Sequence, residues 1–333
     1  MSKVASLVLA LLLGLGLTVD SLMAAPSQAD PNAKARKEYA VLDKALKANG
    51  WKAKADALRA FIQAHPDSQY KDYAQKQALA AQHQLVVELY QKKDMAALGR
   101  ASEQLLRMQP GDESGLGGAL EAYYAIKNYA KAARYGEQLY AKKPTPGIAA
   151  ALADCYDKLK DANKFATYAR TVTEGKSDKE AFPYNIKLFD HYSRRRSVGR
   201  AAGYAQKMLA AYSGDELPPG FTEESWNQVK GQLYSTIGLN HYNRKRWRQT
   251  LVNYRNSLRF KPRDSSAYFH MGMSQWQLKE NRVAMKLLAQ AEGLGGSYSA
   301  RATKALEALF RAATGGSLDG LDRIRKAAMA ELN

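Results

Sequence analysis

Cysteine is almost absent from the 333 residues: Cys155 stands alone, so no disulfide can form within the chain and the fold must hold by packing. Cys155 sits in an apolar helical pattern, which predicts a small buried residue. Proline is sparse, at ten residues, leaving long stretches without a helix breaker. The five histidines, His65, His83, His191, His241 and His270, never fall at metal-ligand spacing on one helix face. His241 takes a core-facing offset and is expected to pack. There is no phosphate loop ending in Lys-Ser/Thr, no dinucleotide glycine fingerprint after a strand, and no nucleophile elbow. Asp154 and Asp157 share one helix face, a spacing that suits a cation or an acid–base pair, but nothing beside them supplies a substrate pocket. The expectation is a protein without catalytic residues, cofactor or metal, and not an enzyme.

Long apolar runs are missing too, with one exception. Val4 to Val19 is apolar apart from Ser6, Thr18 and two glycines, follows Lys3, and precedes small residues from Ala24 to Ala29. That layout predicts a secretory signal peptide over residues 1–29, with cleavage after Ala29 fitting best and cleavage after Ala24 the alternative. The run is shorter than the roughly twenty residues of a membrane span, so an uncleaved N-terminal anchor is the lesser reading. Export implies a periplasmic or extracellular location.

Acidic residues are outnumbered. Fifty Lys/Arg against 32 Asp/Glu give a net charge of +18. The stretch from His191 to Arg263 holds fourteen Lys/Arg and four Asp/Glu, more than half of the excess. Such a balance favours anionic partners.

What the chain has in quantity is alanine, leucine and helical periodicity. Gly231 to Asp264 places Tyr234, Ile237, Gly238, Trp247, Thr250, Tyr254, Ser257 and Pro262 at offsets matched from Ser265 onward by Tyr268, Met271, Gly272, Ala284, Leu288 and Ala291. Leu79 to Asp112 and Glu113 to Thr145 form another such couple, again starting 34 residues apart. Further copies begin near Ala35 (Val41, Leu42, Trp51, Leu58, Phe61, Pro66), Pro146 and Phe182. Each copy reads as two amphipathic helices joined by a short polar turn. Gly238, Gly272, Ala132 and Ala284 allow close approach, and a proline often marks the exit. One copy cannot bury both its faces, but a stack can.

The 34-residue spacing and the pattern of small, aromatic and proline residues resemble the tetratricopeptide-repeat (TPR) family over about residues 35–298. Phe61 to Ser68 is similar to units in bacterial envelope-assembly repeat proteins, an exported bacterial type. The resemblance implies an all-α fold: a right-handed superhelical solenoid of stacked antiparallel helix pairs. Residues 30–215 and 216–298 form two stretches of repeats, either continuous or hinged at 213–221, where Asp215, Pro218, Pro219 and Gly220 interrupt the pattern. Gln69 to Val87 is read as one extended helix. Thr222 is placed to cap a long helix reaching Tyr242, with Glu223 and Glu224 in its first turn. Residues 299–333 are expected to be capping helices, one ended by Gly315-Gly316 and a last one capped by Ser317.

The resemblance also implies a groove lined by selected positions of each first helix. Here these are Tyr90, Tyr124, Asp157, Tyr242 and Trp276 at one position, Glu121, Asp154, Asp190 and Met273 at another, and Phe269 at a third. Their chemistry is aromatic at the ends and acidic in the middle, suited to a peptide or protein segment. A second surface is basic: the turns within pairs carry Lys92-Lys93, Lys127, Lys158 and Lys160, Arg194-Arg195-Arg196, Arg244-Lys245-Arg246 and Lys279. The arginines are candidates for gripping phosphate or carboxylate, as on an acidic surface or envelope glycolipid. Nucleic acid is disfavoured, because no nucleic-acid motif is present and the chain reads as exported.

Overall fold

The computed structural model describes residues 33–214 and 216–332, so the signal segment read at residues 1–29 lies outside the described residues. All regular elements among the described residues are helices, sixteen in number. Within each of two units, most helices adjacent in sequence pack as antiparallel neighbours joined by short turns. The chain divides into two compact units, one ending at Val172 and one beginning at Thr173.

The first unit holds four helix pairs: α1 (Ala33–Leu46) with α2 (Trp51–Ala64), α3 (Lys71–Gln91) with α4 (Met95–Met108), α5 (Glu113–Ala125) with α6 (Tyr129–Lys142), and α7 (Pro146–Lys158) with α8 (Ala162–Thr173). The extended helix read from Gln69 is α3, 21 residues long. Local chemistry starts the helices: Asp94, Asp112, Asn128 and Thr145 each accept a backbone N–H in the first turn with a side-chain oxygen. Pro146 opens α7, where its missing N–H costs nothing. Each pair then buries an apolar stripe, with Leu98, Leu105, Leu116, Leu139 and Leu152 fully enclosed. Each buried leucine contributes about 1.5–3 kcal/mol. Cys155 is buried among them, as expected, and burial pushes its thiol up to about 12. Val41 and Trp51 depart from their pattern and are exposed. They belong to the first described pair, which among the described residues has a neighbouring pair on one side only.

The second unit holds α9 (Asp178–Arg194) with α10 (Val198–Ala211), α11 (Glu223–Asn243) with α12 (Trp247–Leu258), and α13 (Ser265–Gln277) with α14 (Asn281–Gly293). Two further helices follow, α15 (Ser299–Thr314) and α16 (Leu321–Ala330). Thr222 caps α11 as read, in a reciprocal capping box with Ser225, and Glu223 and Glu224 fill the first turn. A second capping box, Ser177 with Glu180, starts α9 earlier than the apolar pattern suggests. The interruption before α11 lies inside this unit: Ala205 and Met208 of α10 share one core with Trp226, Leu233 and Ile237 of α11. Gly238 fulfils its role, since a Cβ there would lie 2.9 Å from the Tyr254 ring.

Both α15 and α16 pack on α14. Leu306, Leu309, Phe310, Leu321 and Ala328 close over Ala284 and Leu288 of α14. Arg325 of α16 donates to both carboxylate oxygens of Glu292 at 2.8 and 2.9 Å. Gly315 ends α15 in the left-handed region at φ 68°. One detail is corrected: Ser317 does not cap the last helix. Its hydroxyl accepts the Asp319 N–H at 2.9 Å, and α16 begins behind Gly320, whose φ of 91° turns the chain.

Candidate functional site

In the first unit, Tyr90, Glu121, Tyr124, Asp154 and Asp157 lie on the first helices of three successive pairs, α3, α5 and α7. The structure links them in sequence. Tyr90 is half-buried, and its hydroxyl is pushed upward first by burial and then by the charge of Glu121. Tyr124, one turn beyond Glu121, donates to Asp154 Oδ2 at 2.6 Å. Burial first, and this bond second, hold its proton more tightly than in an ordinary tyrosine. Glu121 is only 8% exposed, and its Oε2 has no hydrogen-bond partner among the described residues. Desolvation therefore raises its carboxyl. Asp154 and Asp157 remain half-exposed.

The residues read for the second unit behave differently. Phe269 is not groove lining but core: it is 9% exposed, with Tyr298 at 5.1 Å between ring centroids. Met273 and Trp276 pack against the same cluster, which α15 and α16 complete. Helix packing at this end absorbs aromatic area that sequence position alone assigns to a partner. Tyr242 stays half-exposed, edge-on to Trp247 at 5.5 Å and to His270 at 4.7 Å. Asp190 is exposed and bonded to Arg194 at 2.9 Å.

The basic turns share one backbone. Lys93, Lys127 and Lys160 in the first unit, and Arg196, Lys245 and Lys279 in the second, all have φ between 54° and 65°. Each ends a first helix with a double return. Lys127 N–H bonds Tyr124 C=O, and Asn128 N–H bonds Tyr123 C=O; the same two bonds recur at the other five turns. Glycine is the residue that usually occupies this left-handed position, and a side chain there costs about 1 kcal/mol. Arg195, Arg196, Arg244, Lys245 and Arg246 are exposed. Beside them, the His241 imidazole is pushed below its ordinary value, first by burial and then by the charges of Arg246 and Arg244.

These left-handed turns recur every 33 or 34 residues within the first unit, and again between Lys245 and Lys279. The fold is tetratricopeptide-like. No family model matches the chain, and no curated protein does. Solved structures do resemble it. YrrB, described as a TPR protein with an unusual peptide-binding site, is 9% identical, covering 62% of this chain and 99% of its own, with a TM-score of 0.36. A tetratricopeptide repeat protein from Parabacteroides merdae is 12% identical, covering 82% of this chain and 96% of its own, at 0.32. Yeast Tom70 is 10% identical, covering 86% of this chain and 66% of its own, also at 0.32.

One arrangement goes beyond the sequence reading. Glu103 of α4 accepts from Tyr123 at 2.7 Å, Lys131 at 3.0 Å and Tyr135 at 3.0 Å. Glu137 of α6 accepts from Tyr156 at 2.6 Å, Lys164 at 3.0 Å and Tyr168 at 3.3 Å. Each carboxylate thus joins the second helix of one pair to both helices of the next. The tyrosines of each set stack, with centroids 5.9 and 5.8 Å apart, and the lysines sit 4.6 and 4.8 Å from the Tyr123 and Tyr156 rings. Burial raises both carboxyls, but the hydrogen bonds more than reverse this and hold them below the ordinary 4.5. In the second unit Tyr192, Arg200 and Tyr204 repeat the ring–cation–ring motif. The signal was available in the sequence: Tyr, then Lys or Arg eight residues on, then Tyr twelve residues on, three times over.

Proposed function

We propose that this chain is a non-catalytic protein-binding scaffold that holds an extended segment of a partner against the first helices of its pairs. The observation carrying this reading is the line of Tyr90, Tyr124, Asp154 and Asp157 on α3, α5 and α7, which stay partly exposed while the residues behind them fill the core. Rigid rings beside carboxylates offer contact area and directional polar groups at small entropic cost. In keeping with the apolar N-terminal run, the scaffold works after export, in the periplasm or outside the cell. Panning a displayed random-peptide library on the purified protein tests the reading. Selected peptides should lose at least tenfold affinity to Tyr90→Ala plus Tyr124→Ala, with little dependence on salt. Peptides indifferent to that double variant would remove it.

A second reading has its own support. At the α11–α12 turn, Lys245 occupies a left-handed position that glycine would relax, and Arg246 occupies an N-cap position where it makes no side-chain cap. Both choices depart from the local optimum toward positive charge, as an anion-docking surface would require. Changing Arg194, Arg195, Arg196, Arg244 and Arg246 to serine should then weaken binding to anionic glycolipid vesicles. Raising salt should mimic that loss, since exposed attraction is screened within about 10 Å at 0.1 M.

A further inference from the structure

Glu121 is the one acidic residue of the candidate groove that the fold encloses almost completely, and the fold gives one of its oxygens nothing to bond. Leaving a carboxylate oxygen buried and unpaired is unfavourable, and helix formation does not require it. Glutamine would keep the shape of this side chain without the charge. Its surroundings are acidic in a chain of net charge +18: Asp154 and Asp157 stand on the next first helix, and Tyr124 is already committed to Asp154. Tyr90, half-exposed on α3, lies close enough for its hydroxyl to feel the charge of Glu121. Among the described residues neither Glu121 nor Asp154 has an ion pair with a lysine or arginine.

We infer that Glu121, with Asp154 and the rings of Tyr90 and Tyr124, forms a receptor slot for one lysine or arginine side chain of the bound partner segment. The assignment rests on the groove reading above and narrows it. Charge complementarity selects the occupant: the ammonium or guanidinium bonds the Glu121 carboxylate, one oxygen of which the fold leaves unpaired, while its methylene stem lies along the tyrosine faces. An acidic or neutral side chain at this point leaves Glu121 charged, desolvated and unpaired, so selectivity comes from rejection as much as attraction.

The test uses peptides recovered by panning on the full-length protein, measured by fluorescence anisotropy against wild type and Glu121→Gln. Wild-type protein should enrich peptides with lysine or arginine at one fixed register. Replacing that residue by citrulline or norleucine should weaken binding at least tenfold. Glu121→Gln should erase that discrimination and raise the thermal midpoint by about 2 °C, because it removes an unpaired charge. Asp154→Asn, at a half-exposed position, should weaken the same peptides less. Four outcomes overturn the slot: no basic residue at a fixed register, a citrulline cost under twofold, discrimination retained by Glu121→Gln, or a lowered midpoint in that variant. Any of these can occur with the groove reading intact. If wild type selects no peptides, or only peptides indifferent to Tyr90→Ala plus Tyr124→Ala, the groove reading falls as well.

Discussion

Lys93, Lys127 and Lys160 in the first unit and Arg196, Lys245 and Lys279 in the second adopt the same left-handed backbone, yet the residue after each differs. In the first unit it is Asp94, Asn128 or Asp161, and each accepts a backbone N–H of the following helix. In the second it is Ser197, Arg246 or Glu280, and none makes a side-chain cap. The packing between pairs differs in kind as well. The first unit joins neighbouring pairs with buried-edge carboxylates, Glu103 and Glu137, each fed by two tyrosines and a lysine. The second unit joins α9, α10 and α11 with rings: Phe182, Tyr212 and Phe221 meet Trp226 edge-on at 5.8, 6.5 and 5.6 Å. One repeat plan is thus stabilised by directional, charge-dependent bonds in one half and by apolar area in the other.

Five variants sharpen this contrast. The largest effect belongs to Trp226→Ala, which empties a fully enclosed ring site and should cost about 3–5 kcal/mol, read as a fall in the urea midpoint of the second unit. Glu103→Gln with Glu137→Gln should cost about 2 kcal/mol together, in the first unit only. The pair also sets an acid limit. Both carboxyls titrate lower in the folded chain than in the unfolded one. Their stabilisation is therefore complete above the ordinary value near 4.5 and is lost as pH falls through the depressed folded values. Urea midpoints measured from pH 7 to pH 3 should drop less steeply in the double variant; an unchanged slope would refute the role given to these carboxylates.

Two smaller effects act at the turns. Arg246→Asn should stabilise the second unit by about 1 kcal/mol by supplying the absent cap, whereas Asn128→Arg should destabilise the first by a similar amount. Lys127→Gly should gain about 0.5 kcal/mol, the left-handed strain relieved less the added freedom of the unfolded chain. Calorimetry resolves both. If Arg246→Asn proves neutral, the missing cap in the second unit has no energetic meaning.

The helices and their pairing were readable because they depend on local periodicity and on residues a fixed distance apart. Thr222, Gly238 and Gly315 sit where their side chains, or lack of one, dictate. Other features depend on what an element meets from far along the chain. Phe269 reads as groove lining until α15 and α16 cover it. Val41 and Trp51 read as core in a pair that lacks a neighbour on one side among the described residues. The bond from Tyr124 to Asp154 spans thirty residues, and the buried, unpaired oxygen of Glu121 has no sequence signature at all. The ladder of Glu103 and Glu137 lies between these cases, since its tyrosines and lysines recur at fixed offsets while its acceptors come from the previous pair.

The lone thiol makes the two halves separately observable. Cys155 is enclosed in α7 and reluctant to ionise, so a thiol reagent reaches it only when the first unit opens. Three of the four tryptophans, Trp226, Trp247 and Trp276, lie in the second unit, and Trp51 in the first is already exposed, so its surroundings change little on opening. Alkylation kinetics and indole emission, followed in one sample of unaltered protein, would therefore time the loosening of each half without any introduced label.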